Sequence, residues 1–169
     1  MLYNRRMIVI ESVNPTEEAE ALGEILRACV EGGASVNFVL PFSQAEASAY
    51  WRTVKGRTVL LARSEGRALG TVSLAPAHQP NQPHRAEVAK MLVHPDGRRK
   101  GIARRLLEEL EAVAREQGIT LLTLDTEAGG DAENLYRSMG YTMVGTIPDF
   151  ALDAAGASFV AATFYYKVL

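Results

Sequence analysis

The chain has 169 residues, 47% of them apolar and 22% charged, with a formal net charge of −2, the balance of one folded, water-soluble domain. That charge excludes a general attraction for DNA, RNA or an anionic membrane, so an anion site has to be built locally. The single cysteine, Cys29, excludes an internal disulfide and a cysteine metal cluster.

Arg5 and Arg6 precede an apolar run at 7–10 that is too short for a signal-peptide core. No stretch approaches the ~20 apolar residues of a membrane span. The expectation is a cytoplasmic protein of one domain, residues 1–169. Residues 7–13 predict a first strand, ended by Asn14-Pro15. Thr16 is placed to cap a helix through Val30, with Glu17 and Glu18 in its first turn and Ala21, Ile25, Leu26 and Cys29 at helical spacing. Cys29 reads as a small apolar helix residue, because no His with a carboxylate lies near it in sequence to make it a nucleophile.

Residues 34–42 are apolar but broken by Asn37 and Pro41, which suits a short strand or a loop lining a pocket. Ser43 predicts the cap of a second helix running through Trp51 to about Val54. Segments 57–63 and 68–75 predict an antiparallel hairpin around Ser64-Glu65-Gly66-Arg67. A polar loop at 76–84 leads to a long strand at 85–93, stopped by His94-Pro95-Asp96-Gly97. The helix at 99–117 has Ile102, Leu106, Leu110 and Val113 in one stripe, widened by Ala103, Leu107 and Ala114. Arg104–Glu108, Arg105–Glu109 and Glu111–Arg115 are spaced to pair on its wetted side. A strand at 120–126 completes a strand–helix–strand crossover with parallel neighbours. Asp131 then predicts the cap of a short helix to Met139, and 141–147 and 159–168 are the last two strands. The class is mixed α+β: an antiparallel start, one parallel crossover and a closing hairpin.

Chemistry concentrates at Arg98-Arg99-Lys100-Gly101-Ile102-Ala103. A strand, a tight turn and a helix present unpaired backbone N–H groups to an anion, and Gly101 lets the main chain come close. Three cations at the positive end of a helix dipole destabilise the helix unless an anion compensates them, which argues against a merely solvated basic face. A Walker loop ends in Gly-Lys-Ser/Thr and a dinucleotide turn needs Gly-x-Gly-x-x-Gly; neither is present. By spacing alone the turn is a phosphate site at a helix terminus.

Arg98-x-x-Gly101-x-Ala103 after a strand resembles the Gln/Arg-x-x-Gly-x-Gly/Ala motif of the GNAT acetyltransferase superfamily. Asn134-Leu135-Tyr136-Arg137-Ser138-Met139-Gly140-Tyr141 is similar to that family's later helix, which carries a tyrosine and ends in Gly-aromatic. The element order agrees as well. Within the superfamily, Gly32-Gly33-Ala34-Ser35-Val36, Arg85-Ala86-Glu87-Val88 and Leu124-Asp125-Thr126-Glu127-Ala128-Gly129 resemble the tabtoxin-resistance branch, whose enzymes acetylate a β-lactam toxin. The sequence departs from the superfamily at Gly129, where many members have a cofactor-contacting asparagine. It departs from the toxin branch around 37–42 and 149–158, where acceptor contacts are expected.

The resemblance implies a central, mostly antiparallel sheet with one parallel crossover and helices on both faces. It implies acetyl-CoA as cosubstrate, held by Met91, Leu92 and Val93 through their backbone, by Arg98, Arg99, Lys100, Gly101, Ile102, Ala103 and Arg104 at the turn, and by Asn134 and Arg137. The acceptor is expected to be a small amine, as in a toxin or antibiotic, and a homodimer is expected from the family. A protein or peptide acceptor, or a non-catalytic acyl-CoA sensor, are the alternatives.

Glu87 and Asp125 each interrupt an apolar strand, which is costly unless the group is paired or functional. They either cap backbone or pair with Arg85, or they are bases; the matching carboxylates of the toxin branch are its proposed bases. Partial burial is expected to raise their pKa values. Tyr136, otherwise a core aromatic on an amphipathic helix, carries the family's role of general acid for the coenzyme thiolate. Trp51, Phe38, Tyr141 and Phe150 are candidate pocket walls. His78, His84 and His94 have no ligand spacing, so no metal is expected.

Overall fold

The computed structural model describes residues 7–169, so Arg5 and Arg6 lie outside the described residues. Seven strands form one sheet: β1 (Ile8–Val13), β2 (Thr58–Ser64), β3 (Arg67–Pro76), β4 (Arg85–Val93), β5 (Leu121–Glu127), β6 (Thr142–Leu152) and β7 (Phe159–Val168). Their order is β1-β2-β3-β4-β5-β7-β6, with only β4 and β5 parallel. Four α-helices complete the described residues: α1 (Ala19–Glu31), α2 (Gln44–Thr53), α3 (Ile102–Glu116) and α4 (Asp131–Ser138). The α+β class and the parallel crossover are as the sequence predicts.

The sheet is covered on both faces. Alternate residues of β2 divide between two cores: Leu60 and Ala62 pack with Ile102, Leu106, Leu107 and Leu110 of α3 and with Tyr136 of α4, whereas Val59 and Leu61 pack with Leu22, Ile25 and Leu26 of α1 and Trp51 of α2. Ser43 caps α2 in a full capping box with Glu46.

Several local expectations need correction. Thr16 does not cap α1: Asn14 Oδ1 accepts from the Thr16 amide at 3.0 Å, folding a turn that delays the helix to Ala19. Asp131 lies inside α4, whose N-cap is the extended Gly130. The α3 helix begins at Ile102, because Arg99 and Gly101 take left-handed φ values of 59° and 76°. Glu111 is buried at 5% exposure and bonds to Lys167, so the Glu111–Arg115 pair does not lie on a wetted face. Arg104 bonds across to α4, at Ser138 Oγ (2.7 Å) and Met139 Sδ (3.0 Å), instead of along its own helix. Residues 34–42 form a loop, not a strand.

Close packing at Gly70 seats the start of α3 on β3. A Cβ there would lie 2.7 Å from Ile102 Cγ2 and 3.3 Å from the carbonyl oxygen of Leu92. Gly70→Ala is expected to destabilise the fold by about 1–3 kcal/mol through overpacking, measured as a lowered urea midpoint. An unchanged midpoint would show that α3 does not depend on this approach.

Candidate active site

The site is created by a divergence of strands. β4 and β5 pair only at Arg85↔Leu121, Ala86↔Leu122 and Glu87↔Thr123. Beyond Glu87 the two strands part, β5 continuing against β7, so the following part of β4 has no strand partner on that side among the described residues.

A bulge then reverses the faces of β4. Ser73 pairs with Ala89 and Thr71 with Leu92, leaving Lys90 and Met91 opposite the single residue Val72. Ala86 and Val88 belong to the α3 core, and after the bulge Met91 and Val93 pack on that same core while Leu92 turns to the α1–α2 core. A regular strand would have kept Ala86, Val88 and Leu92 together. Lys90 sits at the bulge with φ 50°, left-handed for a residue with a side chain.

Glu87, Asp125 and Tyr136 line one cavity of about 110 Å³ in the cleft, together with Ser35, Asn37, Lys90 and Met91. Leu122 and Leu124 face the α3 core, so alternation puts Asp125 on the sheet face that Glu87 shares. Arg85 is not the partner of Glu87, since it donates to Gln82 Oε1 at 2.8 Å and Thr123 Oγ1 at 3.2 Å. Both carboxylates are exposed to the cleft, so their break in the apolar pattern is not the burial of a charge in the core. Tyr136 is 5% exposed, and burial, with the nearby Asp125 charge, raises its phenol pKa well above the ordinary value.

Beyond the bulge the chain makes the turn in which the sequence predicts an anion site. His94 accepts from the Asp96 amide at 3.1 Å and begins a 3-10 turn at Pro95–Gly97. The first amide bonded back within α3 is that of Arg105, to Gly101 O at 3.2 Å. No side chain caps this helix and its first turn holds no acidic residue. The amides of Ile102, Ala103 and Arg104 therefore point outward from the positive end of the helix. Arg98, Arg99 and Lys100 are exposed around them. The Arg98 guanidinium lies against Gly32 at the end of α1 and beside Cys29, tying the turn to that helix. Cys29 is buried, donates its thiol to Val93 O at 3.4 Å, and has its pKa pushed up by burial, which suits packing and not nucleophilic attack.

The remaining expected residues are less tightly engaged. Asn134 is exposed on α4, and Arg137 pairs with Glu133 at 3.0 Å. Trp51 and Tyr141 are core residues, at 0% and 4% exposure, and not pocket walls. Phe38 does line a pocket, an outer one of about 530 Å³ shared with Asn37, Phe42 and Tyr50. Phe150 lies out on β6 against Phe164, with ring centroids 5.3 Å apart. Sequence reasoning missed Lys90. Its one signal was a charged residue in register with Ala86 and Val88 on a strand face that should be apolar. Among the described residues, no cluster of His, Cys, Asp and Glu is arranged to hold a metal ion, and no helix is long and apolar enough to cross a membrane.

Known proteins share the family pattern and the fold. Residues 20–141 match the model of the "Acetyltransferase (GNAT) family". The chain is 29% identical to human N-acetyltransferase 8 over 112 residues, 65% of this chain, and it spans about half (49%) of that relative's length. Among solved structures, the ribosomal-protein-alanine N-acetyltransferase of Brucella melitensis superposes with a TM-score of 0.77 at 26% identity, covering 95% of this chain and 99% of the other. A putative acetyltransferase from Salmonella typhimurium, solved with its cofactor acetyl-CoA, gives 0.79 at 22% identity, covering 96% and 94%. A split parallel pair, a bulged β4 and an uncapped helix after it thus come with a family match over most of the sequence: the chain belongs to the GNAT family of acetyltransferases.

Proposed function

We propose that the protein is an acetyl-CoA-dependent N-acetyltransferase acting on an amine of a small molecule, a toxin or antibiotic amine being the class suggested by the resemblance to tabtoxin resistance protein. The observation that carries this reading is that Glu87, Asp125 and Tyr136 border one cavity at the mouth of the β4–β5 cleft. The residues present suit acetyl-CoA. Three unpaired amides face the place of a pyrophosphate, with Arg99 exposed beside them and the positive charges of Arg98 and Lys100 close by, and the unpaired edge of β4 offers backbone groups of Met91 and Leu92 to an amide-bearing arm. Acetyl-CoA supplies an acetyl group activated as a thioester.

The protein's part is acid–base and electrostatic. Glu87 and Asp125 first take a proton from the acceptor ammonium, directly or through water, freeing the lone pair with which the nitrogen bonds to the acetyl carbon; the second proton leaves the nitrogen as the carbon–sulfur bond breaks and ends on the coenzyme thiolate. Tyr136 directs its O–H at the sulfur as the carbon–sulfur bond breaks. Its raised pKa keeps it protonated at neutral pH. A thiol ordinarily titrates near ~8.5, so the phenol stabilises the departing charge as a hydrogen-bond donor, and full transfer of its proton runs uphill. Tyr136→Phe is expected to lower kcat by about 10- to 100-fold with little change in acetyl-CoA affinity; unaltered turnover would remove Tyr136 from the mechanism.

The reading is tested with a panel of amines, amino acids and antibiotics, followed by release of free coenzyme A thiol. Amine-dependent release is expected. Tight acetyl-CoA binding with no release for any amine would identify an acyl-CoA sensor instead. A peptide amino terminus is the second reading, favoured by the likeness to the Brucella enzyme, and peptides belong in the panel. We also propose a cytoplasmic homodimer joined along the edge strand β6, where Met143, Val144, Ile147 and Phe150 are exposed.

A further inference from the structure

Lys90 has a position that acetyl transfer from donor to amine does not by itself require. The β4 bulge and its left-handed backbone carry this residue to the α2 side of the sheet. There its Nζ lies 5.7 Å from the ring centre of Phe38 and 5.6 Å from that of Tyr50. Phe38 in turn stacks on Phe42 at 4.6 Å and meets Tyr50 edge-on at 5.2 Å, so the rings brace one another. Glu87 and Asp125 act on the ammonium from the same cavity, yet among the described residues Lys90 makes no ion pair within 4 Å and no hydrogen bond. Beside the site, its three strong donors therefore find no protein acceptor among the described residues, and half-burial pushes the lysine pKa down from its ordinary value. Arg57 adds positive charge on this side. The cleft thus has a negative wall at Glu87 and Asp125, with a positive post at Lys90 where the inner cavity meets the outer pocket, both of which Asn37 lines.

We propose that Lys90 anchors an anionic group of the acceptor, which makes the acceptor a zwitterion of the α-amino acid or α-aminophosphonate class; this rests on the N-acetyltransferase reading above. The amine lies between Glu87 and Asp125, and the carboxylate or phosphonate a few atoms away accepts from the Lys90 ammonium. The remaining side chain runs over Phe38 and Tyr50 into the outer pocket. The inner cavity of about 110 Å³ has room for such a head group. A charge-assisted hydrogen bond from a fixed ammonium discriminates strongly against an acceptor lacking the anion, because the lysine is then left unpaired. Peptide amino termini, whose carboxyl carbon is an amide, are disfavoured for the same reason.

The test compares proteinogenic amino acids and α-aminophosphonates with the corresponding amino-acid amides and plain amines, measured by thiol release in wild type, Lys90→Met and Lys90→Arg. For the wild type, KM of the amides and plain amines is expected to exceed that of the zwitterions by about 10- to 100-fold. Lys90→Met should erase that gap by weakening only the zwitterions, and Lys90→Arg should restore most of it. Equal KM for acid and amide in the wild type overturns the proposal while leaving the N-acetyltransferase reading intact. So does a Lys90→Met variant that raises KM for both classes alike, since that is the mark of a merely structural lysine. Should Lys90→Met fail to fold, as seen by circular dichroism, the wild-type acid–amide comparison and Lys90→Arg decide the matter. Failure to acetylate any amine overturns both.

Discussion

Glu87→Gln and Asp125→Asn are each expected to lower kcat by about 10²- to 10⁴-fold, the range of a positioned general base, with the acetyl-CoA dissociation constant changed less than about threefold. The separation follows from the architecture. Both carboxylates lie on the cleft face of β4 and β5, whereas the unpaired amides proposed to meet the pyrophosphate belong to the first turn of α3. An amide is nearly isosteric with a carboxylate and cannot take a proton, so the substitutions remove basicity while keeping shape. Exposure to the cleft means that neither variant exchanges a buried charge for a buried amide, and folding stability should hold within about 0.5 kcal/mol. The double variant should be far less than multiplicatively worse if the two carboxylates serve one proton path. Thiol-release kinetics, with isothermal titration of acetyl-CoA, measure both quantities. Wild-type turnover in both single variants would remove the pair from the chemistry and leave Tyr136 alone in the cavity.

Local chemistry made much of this fold legible. Ser43 announced a helix start, and α2 begins there. Strands β4 and β7 occupy the predicted residues 85–93 and 159–168, because apolar β-formers run between unambiguous stops. The parallel β4–β5 crossover was equally readable, and with it the turn that leads from β4 into α3. What escaped depends on partners far away in sequence. The insertion of β7 between β5 and β6 is a long-range pairing that no local pattern encodes. The β4 bulge has no glycine to mark it, since Lys90 itself takes the left-handed conformation. Glu111 looked like a member of one of three surface ion pairs on α3 until β7 brought Lys167 beneath it. Glu87 and Asp125 were singled out for breaking an apolar pattern, and the cleft that exposes them arises only when the two strands separate. In each case the residue type was visible, and its environment was set by tertiary structure.

Lys167→Met is expected to destabilise the protein by about 3–5 kcal/mol, the cost of leaving a buried charge without its partner. Lys167 Nζ donates to Glu111 Oε1 at 2.8 Å and Oε2 at 2.7 Å, and to the carbonyl of Met139 at 2.7 Å. It also stands 5.4 Å over the ring of Tyr141. The Glu111 side chain is only 7% exposed, and its other cation, Arg115, is 3.9 Å away and half in solvent, too weakly placed to replace the lysine. Glu111→Gln combined with Lys167→Met should recover much of the loss, because it withdraws the stranded charge together with its partner. Urea denaturation of the four proteins of this cycle measures the coupling, and a loss below about 1 kcal/mol in Lys167→Met would show that water reaches Glu111 and solvates it. One ammonium here joins α3, the end of α4 and β7. The first of these begins at the turn that follows β4 and the second carries Tyr136, so loosening this knot alters how the two ends of the site face each other. In Lys167→Met, kcat should therefore fall at temperatures well below the unfolding transition, even though Lys167 touches no residue of the cavity.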